Sequence, residues 1–381
     1  MLLFIYVVIG PAAWLVLCVM SLFARIRMGR LLRSTDTLPA EPPSIAIVVP
    51  AKDEAENIRS CVSKLLQQDY PRFELVVVND RSNDSTGSQL DEMATQIVSG
   101  PRLRVIHIES LPEDWLGKSH ALHVATRGLT HDYLLFVDSD VNLASDAARK
   151  LVALAHARSY DALSALPSLE FAGLADRLLL PVLAVSWGAA FTVSLTNDDS
   201  KRHIAAANGQ MFLIRRDVYE RVGNHQAVRN KIVEDVELMR HLKKSGASVR
   251  FMLGHNLGST KMHDTWPRIF HGWARIFAGT ARRSIWPILA VLFFLWVCTM
   301  PVFAALWMPT TAWRVASISH LLLIAVFVVR CYTAAGLSIP AAILLTICLP
   351  VTIILQSVVL IYAMIVCIRG HVMWRGHRVA V

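Results

Sequence analysis

Asp138-Ser139-Asp140 places two carboxylates one residue apart directly behind the apolar run Tyr133-Leu-Leu-Phe-Val137. The run reads as a buried strand, so the pair emerges at its carboxyl end, where open α/β sheets bind ligands. Paired carboxylates at a strand tip make a hard oxygen site for Mg2+ or Mn2+, and such an ion shares its remaining coordination with substrate phosphates. The pair therefore points to a metal holding a nucleotide. Asp-x-Asp is also used by solvated turns and helix N-caps, so its meaning depends on its surroundings.

Between residues 44 and 255, short β-branched runs alternate with amphipathic helical stretches, which marks βαβ units around a mostly parallel sheet. Ser44 to Val49, Glu74 to Val78, Arg104 to Ile108, Tyr133 to Val137 and Asp161 to Ala165 read as strands, and Met211 to Ile214 is strand-like. Helices fit at 53–68, 84–97, 117–128, 144–157 and 233–245, the last closed by Gly246 as a C′ glycine. Acidic groups then fall at three strand ends: Asp53-Glu54 after the first, Asp80 after the second, and Asp138 and Asp140 after the fourth. Strand ends converge in space, so these carboxylates would line one crevice.

Composition sets that crevice against a membrane. Of 381 residues, 54% are hydrophobic and 18% charged, too apolar for a wholly soluble chain. Residues 1–23 are apolar and uncharged, long enough to span a bilayer and without a small-residue cleavage site, so they read as an anchor. Arg25, Arg27, Arg30 and Arg33 in the linker 24–43 place the anchor's far end in the cytoplasm by the positive-inside rule. Further candidate spans lie near 286–308, 315–335 and 338–368, before a basic tail at 369–381. Three crossings would put that tail outside, against the charge rule. One segment is then re-entrant or the last forms a hairpin, and the region 286–368 holds two to four segments. The net charge of +9 is read as attraction of bordering arginines to anionic headgroups, not to nucleic acid. Only Cys61 of the six cysteines falls in the soluble part, and neither a disulfide framework nor a zinc spacing is present.

Five segments in order carry a family resemblance: Val48-Val-Pro-Ala-Lys-Asp-Glu-Ala-Glu-Asn-Ile58, Val76-Val-Val-Asn-Asp-Arg-Ser-Asn-Asp-Ser-Thr86, Gly117-Lys-Ser-His-Ala-Leu122, Phe136-Val-Asp-Ser-Asp-Val141 and Val233-Glu-Asp-Val-Glu-Leu238. They resemble the inverting family 2 glycosyltransferases over about residues 44–280. With its apolar ends, the chain looks most like the hopanoid-associated bacterial branch, similar also to ceramide glucosyltransferases. The resemblance implies an α/β fold of GT-A type, a Rossmann-like nucleotide-diphospho-sugar transferase domain at 44–262, carried between N-terminal and C-terminal transmembrane helices.

It also implies roles. Pro50, Ala51 and Glu54 match the loop that holds uracil and ribose, and Asp80 matches the aspartate that contacts the base; a carboxylate accepting hydrogen bonds suits both places. Lys118 matches a segment that approaches the nucleotide, where it would offset diphosphate charge or simply start a solvated helix. Asp138 and Asp140 would grip the metal, Asp140 most directly, and the metal would neutralise charge on departing UDP. Asp235, with Glu234 beside it, matches the general base that inversion at the anomeric carbon requires; otherwise it is a helix N-terminal acid. Asn208, Gly209 and Gln210 match the segment lining the acceptor side.

The chain departs from processive members, which carry Gln-x-x-Arg-Trp on an interfacial helix; here stands His271-Gly-Trp273-Ala-Arg275. Trp273 and Arg275 either replace that role or anchor the segment 263–285 in the headgroup layer. His255 and His263 are either structural or include a third metal ligand. The missing motif and short apolar region disfavour a polysaccharide synthase. The expected activity is transfer of one sugar from a nucleotide-sugar to a lipid hydroxyl, a hopanoid or another polyisoprenoid or sphingoid-like molecule, at the cytoplasmic face of the inner membrane. The alternatives are a membrane scaffold that keeps the fold without turnover and a nucleotidyltransferase that shares the metal site.

Overall fold

A computed structural model of the chain describes residues 36–381 except 98–101, 192, 263–264, 282–283, 298–299, 308–309, 375–376 and 381, together with residues 12, 14–16, 18–19 and 22. Most of the expected anchor, Arg25, Arg27, Arg30, Arg33, His263, Arg282 and Arg283 lie outside the described residues.

Strands β1 (Ile45–Ala51), β2 (Phe73–Asp80), β3 (Arg102–Ile108), β4 (Tyr133–Val137), β6 (Ala162–Leu166), β8 (Met211–Arg215) and β9 (Val249–Leu253) form one sheet in the order β3-β2-β1-β4-β8-β6-β9. Only β8 runs against its neighbours, pairing antiparallel with both β4 and β6. The remaining pairs are parallel, as the βαβ alternation predicts. The apolar runs are unbroken because both sheet faces are covered. Ile47, Val49, Leu75, Val77, Leu135 and Val137 face helices α1 (Ile58–Leu66), α2 (Thr86–Gln96) and α4 (Ala147–Ala157). Val48, Val76, Leu134 and Phe136 face α3 (Gly117–Thr126), α6 (Arg216–Arg221) and α7 (Glu234–Lys244) on the other side.

Pro50 fits inside β1 because β4 pairs with that strand only as far as Val48, so the missing N–H leaves no ladder bond broken on that side. α7 closes as expected. Gly246 adopts φ +86°, with its N–H on the Lys243 carbonyl and the Ala247 N–H on that of Leu242, the two bonds of a Schellman motif.

A small second sheet sits beyond the β4 end. β5 (Val141–Leu143) pairs antiparallel with β10 (Gly258–Thr260), which pairs parallel with β7 (Ser168–Leu169). The register sets Thr260 opposite Val141 and so beside Asp140.

The C-terminal part is helical. α5 (Leu174–Ala190), α8 (Trp266–Ala281), α9 (Trp286–Val297), α11 (Thr311–Ala334), α12 (Ile339–Ile347) and α13 (Leu349–Arg369) share one apolar core, with α10 (Met300–Trp307) packed on α11. Trp14 of the first apolar stretch joins it, 5.0 Å from Phe294 and 5.9 Å from Phe327 between ring centroids. Two of these helices, α11 and α13, are long and apolar enough to cross a membrane. The expected span 338–368 is divided at Cys348, since Pro350 lacks an N–H and clashes with the preceding turn. α12 alone, at 9 residues, is too short to cross.

Candidate active site

β4 delivers Asp138 and Asp140 to one side of a cleft, and the first turn of α7 delivers Glu234 and Asp235 to the other. Lys118, in the first turn of α3, lies between them: its Nζ is 2.8 Å from Asp138 Oδ1 and 3.0 Å from Glu234 Oε1. Burial alone would lower the pKa of this ammonium, but the charges of Asp138, Glu234 and Asp235 outweigh it and hold it charged.

The partner acids stand differently. Burial, then the Asp138 charge, pushes the Asp140 carboxyl up to about 7 against the pull of Lys118. Burial, then Glu234, does the same to Asp235, also to about 7. Asp235 is held by backbone: Val236 N–H donates to Oδ1 at 2.8 Å and Gly209 N–H to Oδ2 at 2.7 Å. Each oxygen keeps a second lone pair.

Asp140 Oδ1 is shielded from solvent and has no hydrogen-bond partner among the described residues. An unmatched buried carboxylate oxygen beside a second carboxylate suits a hard divalent cation. Asp138 and Asp140 therefore fit Mg2+ or Mn2+ as ligands. Among the described residues no third His, Cys, Asp or Glu joins them. His255 is exposed on the β9–β10 turn, 3.2 Å from Ser168 Oγ.

The acceptor-side segment is drawn into the same cleft. Asn208 is clamped by Ser164, whose Oγ receives its N–H at 2.7 Å and donates to its carbonyl at 3.0 Å. The Asn208 side chain in turn accepts the Gln210 N–H at 2.9 Å. A Cβ on Gly209 would stand 3.1 Å from Lys118 Nζ and 3.4 Å from Asp235 Oδ2, so only a bare backbone passes easily between lysine and aspartate.

The first two loops are laced to each other. Glu54 N–H donates to Thr86 Oγ1 at 2.8 Å, Ala55 N–H to Asp84 Oδ2 at 3.0 Å, and Asn83 N–H to Asp53 Oδ1 at 2.7 Å. Pro50 and Ala51 end β1 beneath them, and the Glu54 charge is close enough to raise the Asp140 pKa. Asp80 is 4% exposed and held by Arg81 in a two-point pair, Nε to Oδ1 at 2.7 Å and Nη2 to Oδ2 at 3.0 Å. A Cβ on Gly117 would lie 2.6 Å from Asp80 Oδ2, so this glycine admits the pair.

Trp273 and Arg275 both lie on α8. Trp273 is 5% exposed within the helical core, its ring 6.1 Å from Phe277, and Arg275 is half-buried on α8. α8 still touches the cleft from behind, since a Cβ on Gly279 would meet Val233 at 3.3 Å, two residues before Asp235. Arg81, Ser164 and Thr260 are the groups that sequence reasoning missed. Arg81 was open to detection as the cation next to Asp80; Ser164 and Thr260 carry no local signal.

Comparison with known proteins identifies the family and the fold. A family model described as glycosyltransferase-like family 2 matches residues 42–269. The 4,4'-diaponeurosporenoate glycosyltransferase of Staphylococcus haemolyticus is 23% identical over 261 residues, 67% of this chain and 66% of that protein. The enzyme of the same name from Staphylococcus aureus is 24% identical over 208 residues, 54% of this chain and 52% of that protein. The chain thus spans about half to two thirds of the length of these relatives. A mannosyltransferase from Pyrobaculum calidifontis, solved in complex with GDP-Man and Mn2+, shares the fold with a TM-score of 0.55 at 18% identity, over 96% of this chain and 99% of that one. With the model covering well over half its residues and the GT-A sheet in place, the chain belongs to glycosyltransferase family 2.

Proposed function

We propose that the protein moves one sugar from a nucleotide-sugar, in our reading a UDP-sugar, to a hydroxyl of a membrane lipid with inversion at the anomeric carbon. The observation that carries this is the meeting of two acid pairs about Lys118 in one cleft, one pair with an unmatched oxygen and the other held by backbone N–H groups. Asp138 and Asp140 would hold Mg2+ or Mn2+, which supplies positive charge to the diphosphate leaving group. Pro50, Ala51, Glu54 and Asp80 line the nucleoside end, and Lys118 supplies a second positive charge beside the diphosphate.

Asp235 acts from the opposite side. As the acceptor oxygen forms its bond to the anomeric carbon, a lone-pair-bearing Asp235 oxygen takes the hydroxyl proton. The bond from that carbon to the diphosphate breaks, and its electron pair leaves on the nucleotide. Burial and Glu234 raise the proton affinity of Asp235 toward neutrality, which suits a base that must accept a proton at working pH.

The lipid acceptor is supported by the apolar surface of α11 and α13, where Ile318, Leu322, Val326, Ile354, Ile361 and Ile368 are exposed. In this reading residues 1–23 anchor the chain, residues 44–262 form the catalytic domain on the cytoplasmic face of the inner membrane, and residues 286–368 seat it in the bilayer. The staphylococcal relatives are named for 4,4'-diaponeurosporenoate, a carboxylate on an apolar chain, and the sequence resemblance points to a hopanoid; the apolar skeleton of each suits such a surface, while the hydroxyl acceptor is proposed for this chain alone.

The test is release of nucleoside diphosphate and labelling of extracted lipids by purified protein with Mn2+, followed by mass spectrometry of the product. One added sugar on a lipid is expected. Donor turnover by Asp140→Asn and Asp235→Asn at the parent rate would remove the proposed site, and protection from heat by nucleoside triphosphate instead of nucleotide-sugar would favour nucleotidyl transfer.

A further inference from the structure

Thr260 lies outside every motif that marks the cleft, yet it is fully buried between Gln210 and Asp140. A threonine hydroxyl has one proton and two lone pairs. Gln210 Nε2 donates to Thr260 Oγ1 at 3.0 Å, which occupies a lone pair and leaves the hydroxyl proton for Asp140 Oδ2, 3.3 Å away. The backbone around the hydroxyl is held on both sides. Thr260 pairs with Val141, the residue after Asp140, and with Leu169, while its carbonyl accepts the Glu170 N–H at 2.8 Å.

The consequence falls on the other carboxylate oxygen. With Oδ2 engaged, Oδ1 is the atom left shielded and unmatched among the described residues. We propose that Thr260 is a positioning residue for the cation: its hydroxyl, aimed by Gln210, fixes the plane of the Asp140 carboxylate so that Oδ1 presents free lone pairs to the metal. The same segment that holds the base through the Gly209 N–H then holds the metal carboxylate through Gln210 and Thr260. Residues 208–210 set the two ends of the reaction relative to each other.

This inference rests on the reading of Asp138 and Asp140 as cation ligands, and the experiment separates the two. Mn2+ affinity of the full chain in detergent, without donor sugar, is measured by electron paramagnetic resonance for the parent, Thr260→Val, Thr260→Ser and Asp140→Asn, each with its thermal midpoint. Removing an outer partner of a metal ligand weakens binding about tenfold or more, so Thr260→Val should lose that much while Thr260→Ser stays near the parent. Loss of binding in Asp140→Asn with parent-like binding in Thr260→Val overturns the role of Thr260 and leaves the ligand reading standing. Equal losses in Thr260→Val and Thr260→Ser also overturn it, because the hydroxyl would not be the agent. Parent-like binding in Asp140→Asn overturns both readings. Should Thr260→Val not fold, Gln210→Met decides, since unchanged Mn2+ affinity there overturns the proposal.

Discussion

The acid pair behind β4 and the acid pair opening α7 share one lysine but are left in different states. In each pair one member, Asp138 or Glu234, is ion-paired with Lys118. In each the other member, Asp140 or Asp235, has its carboxyl pushed up to about 7 by burial and by its charged neighbour. What differs is the partner set. Asp235 has both oxygens on backbone N–H groups, which keep it oriented and leave it room for a proton. Asp140 has one oxygen on Thr260 and one on nothing described, which leaves it room for a cation. Two carboxylates of the same intrinsic chemistry are thereby suited to different tasks by their surroundings.

That contrast breaks most directly by neutralising each acid in turn. Asp235→Asn should lower kcat by about 10²–10⁴-fold, the usual worth of a positioned proton acceptor, with Mn2+ binding retained. Asp140→Asn should lose Mn2+ binding as well as turnover. Titration calorimetry beside a transfer assay checks both, and loss of metal binding in Asp235→Asn would merge the two roles.

The pH profile sharpens the same point. Because the folded pKa of Asp235 is raised, it holds its proton to higher pH than an ordinary aspartate, and a protonated base cannot accept another. Transfer should therefore fall as pH drops through about 7, by about tenfold per unit well below it. An acid limb placed near pH 4 in a rate profile would show that Asp235 is not the titrating group. The same group sets a sign for stability, since a carboxyl protonated in the folded state and ionised in the unfolded state contributes stability that is lost as pH rises through about 7.

Lys118→Met removes the charge common to both pairs. A charge-assisted contact to the diphosphate accounts for about tenfold in affinity, so the donor KM should rise by that factor. Lys118 is 36% exposed but its partner Glu234 only 10%, so removing the cation leaves a buried carboxylate uncompensated and should cost about 2–3 kcal/mol in thermal or denaturant unfolding. An unchanged KM would make the lysine structural. The smallest effect is expected away from both pairs: Trp273→Phe trims a ring in the helical core and should cost about 1–2 kcal/mol of stability while leaving kcat and KM in place. A large fall in kcat without a fall in stability would return Trp273 to the site.

Much of the sheet was legible because a strand buried on both faces leaves an unbroken apolar run, and β1, β2 and β4 are such runs. Boundaries were less so. The helix expected over 53–68 begins only at Ile58, since Asp53, Glu54 and Ala55 spend their backbone N–H groups on Ser82, Thr86 and Asp84 of the next loop, with Asp53 at φ +54°. The division of the last apolar stretch at Cys348 was foreshadowed by Pro350, while the packing of α8 against the helical core was not.

The sequence by itself determined the chemistry available: paired carboxylates at strand ends, a lysine at a helix start, acids in the first turn of another helix, and apolar stretches of membrane length. These follow from local spacing and periodicity, which act over a few residues. Only the tertiary structure decided which acid meets which partner. Lys118, Asp138 and Glu234 come together because β4 and β8 pair antiparallel and α3 and α7 pack on one face of the sheet, and Thr260 reaches Asp140 because β10 pairs with β5. Those contacts depend on strand order and register, which no short stretch of the chain encodes.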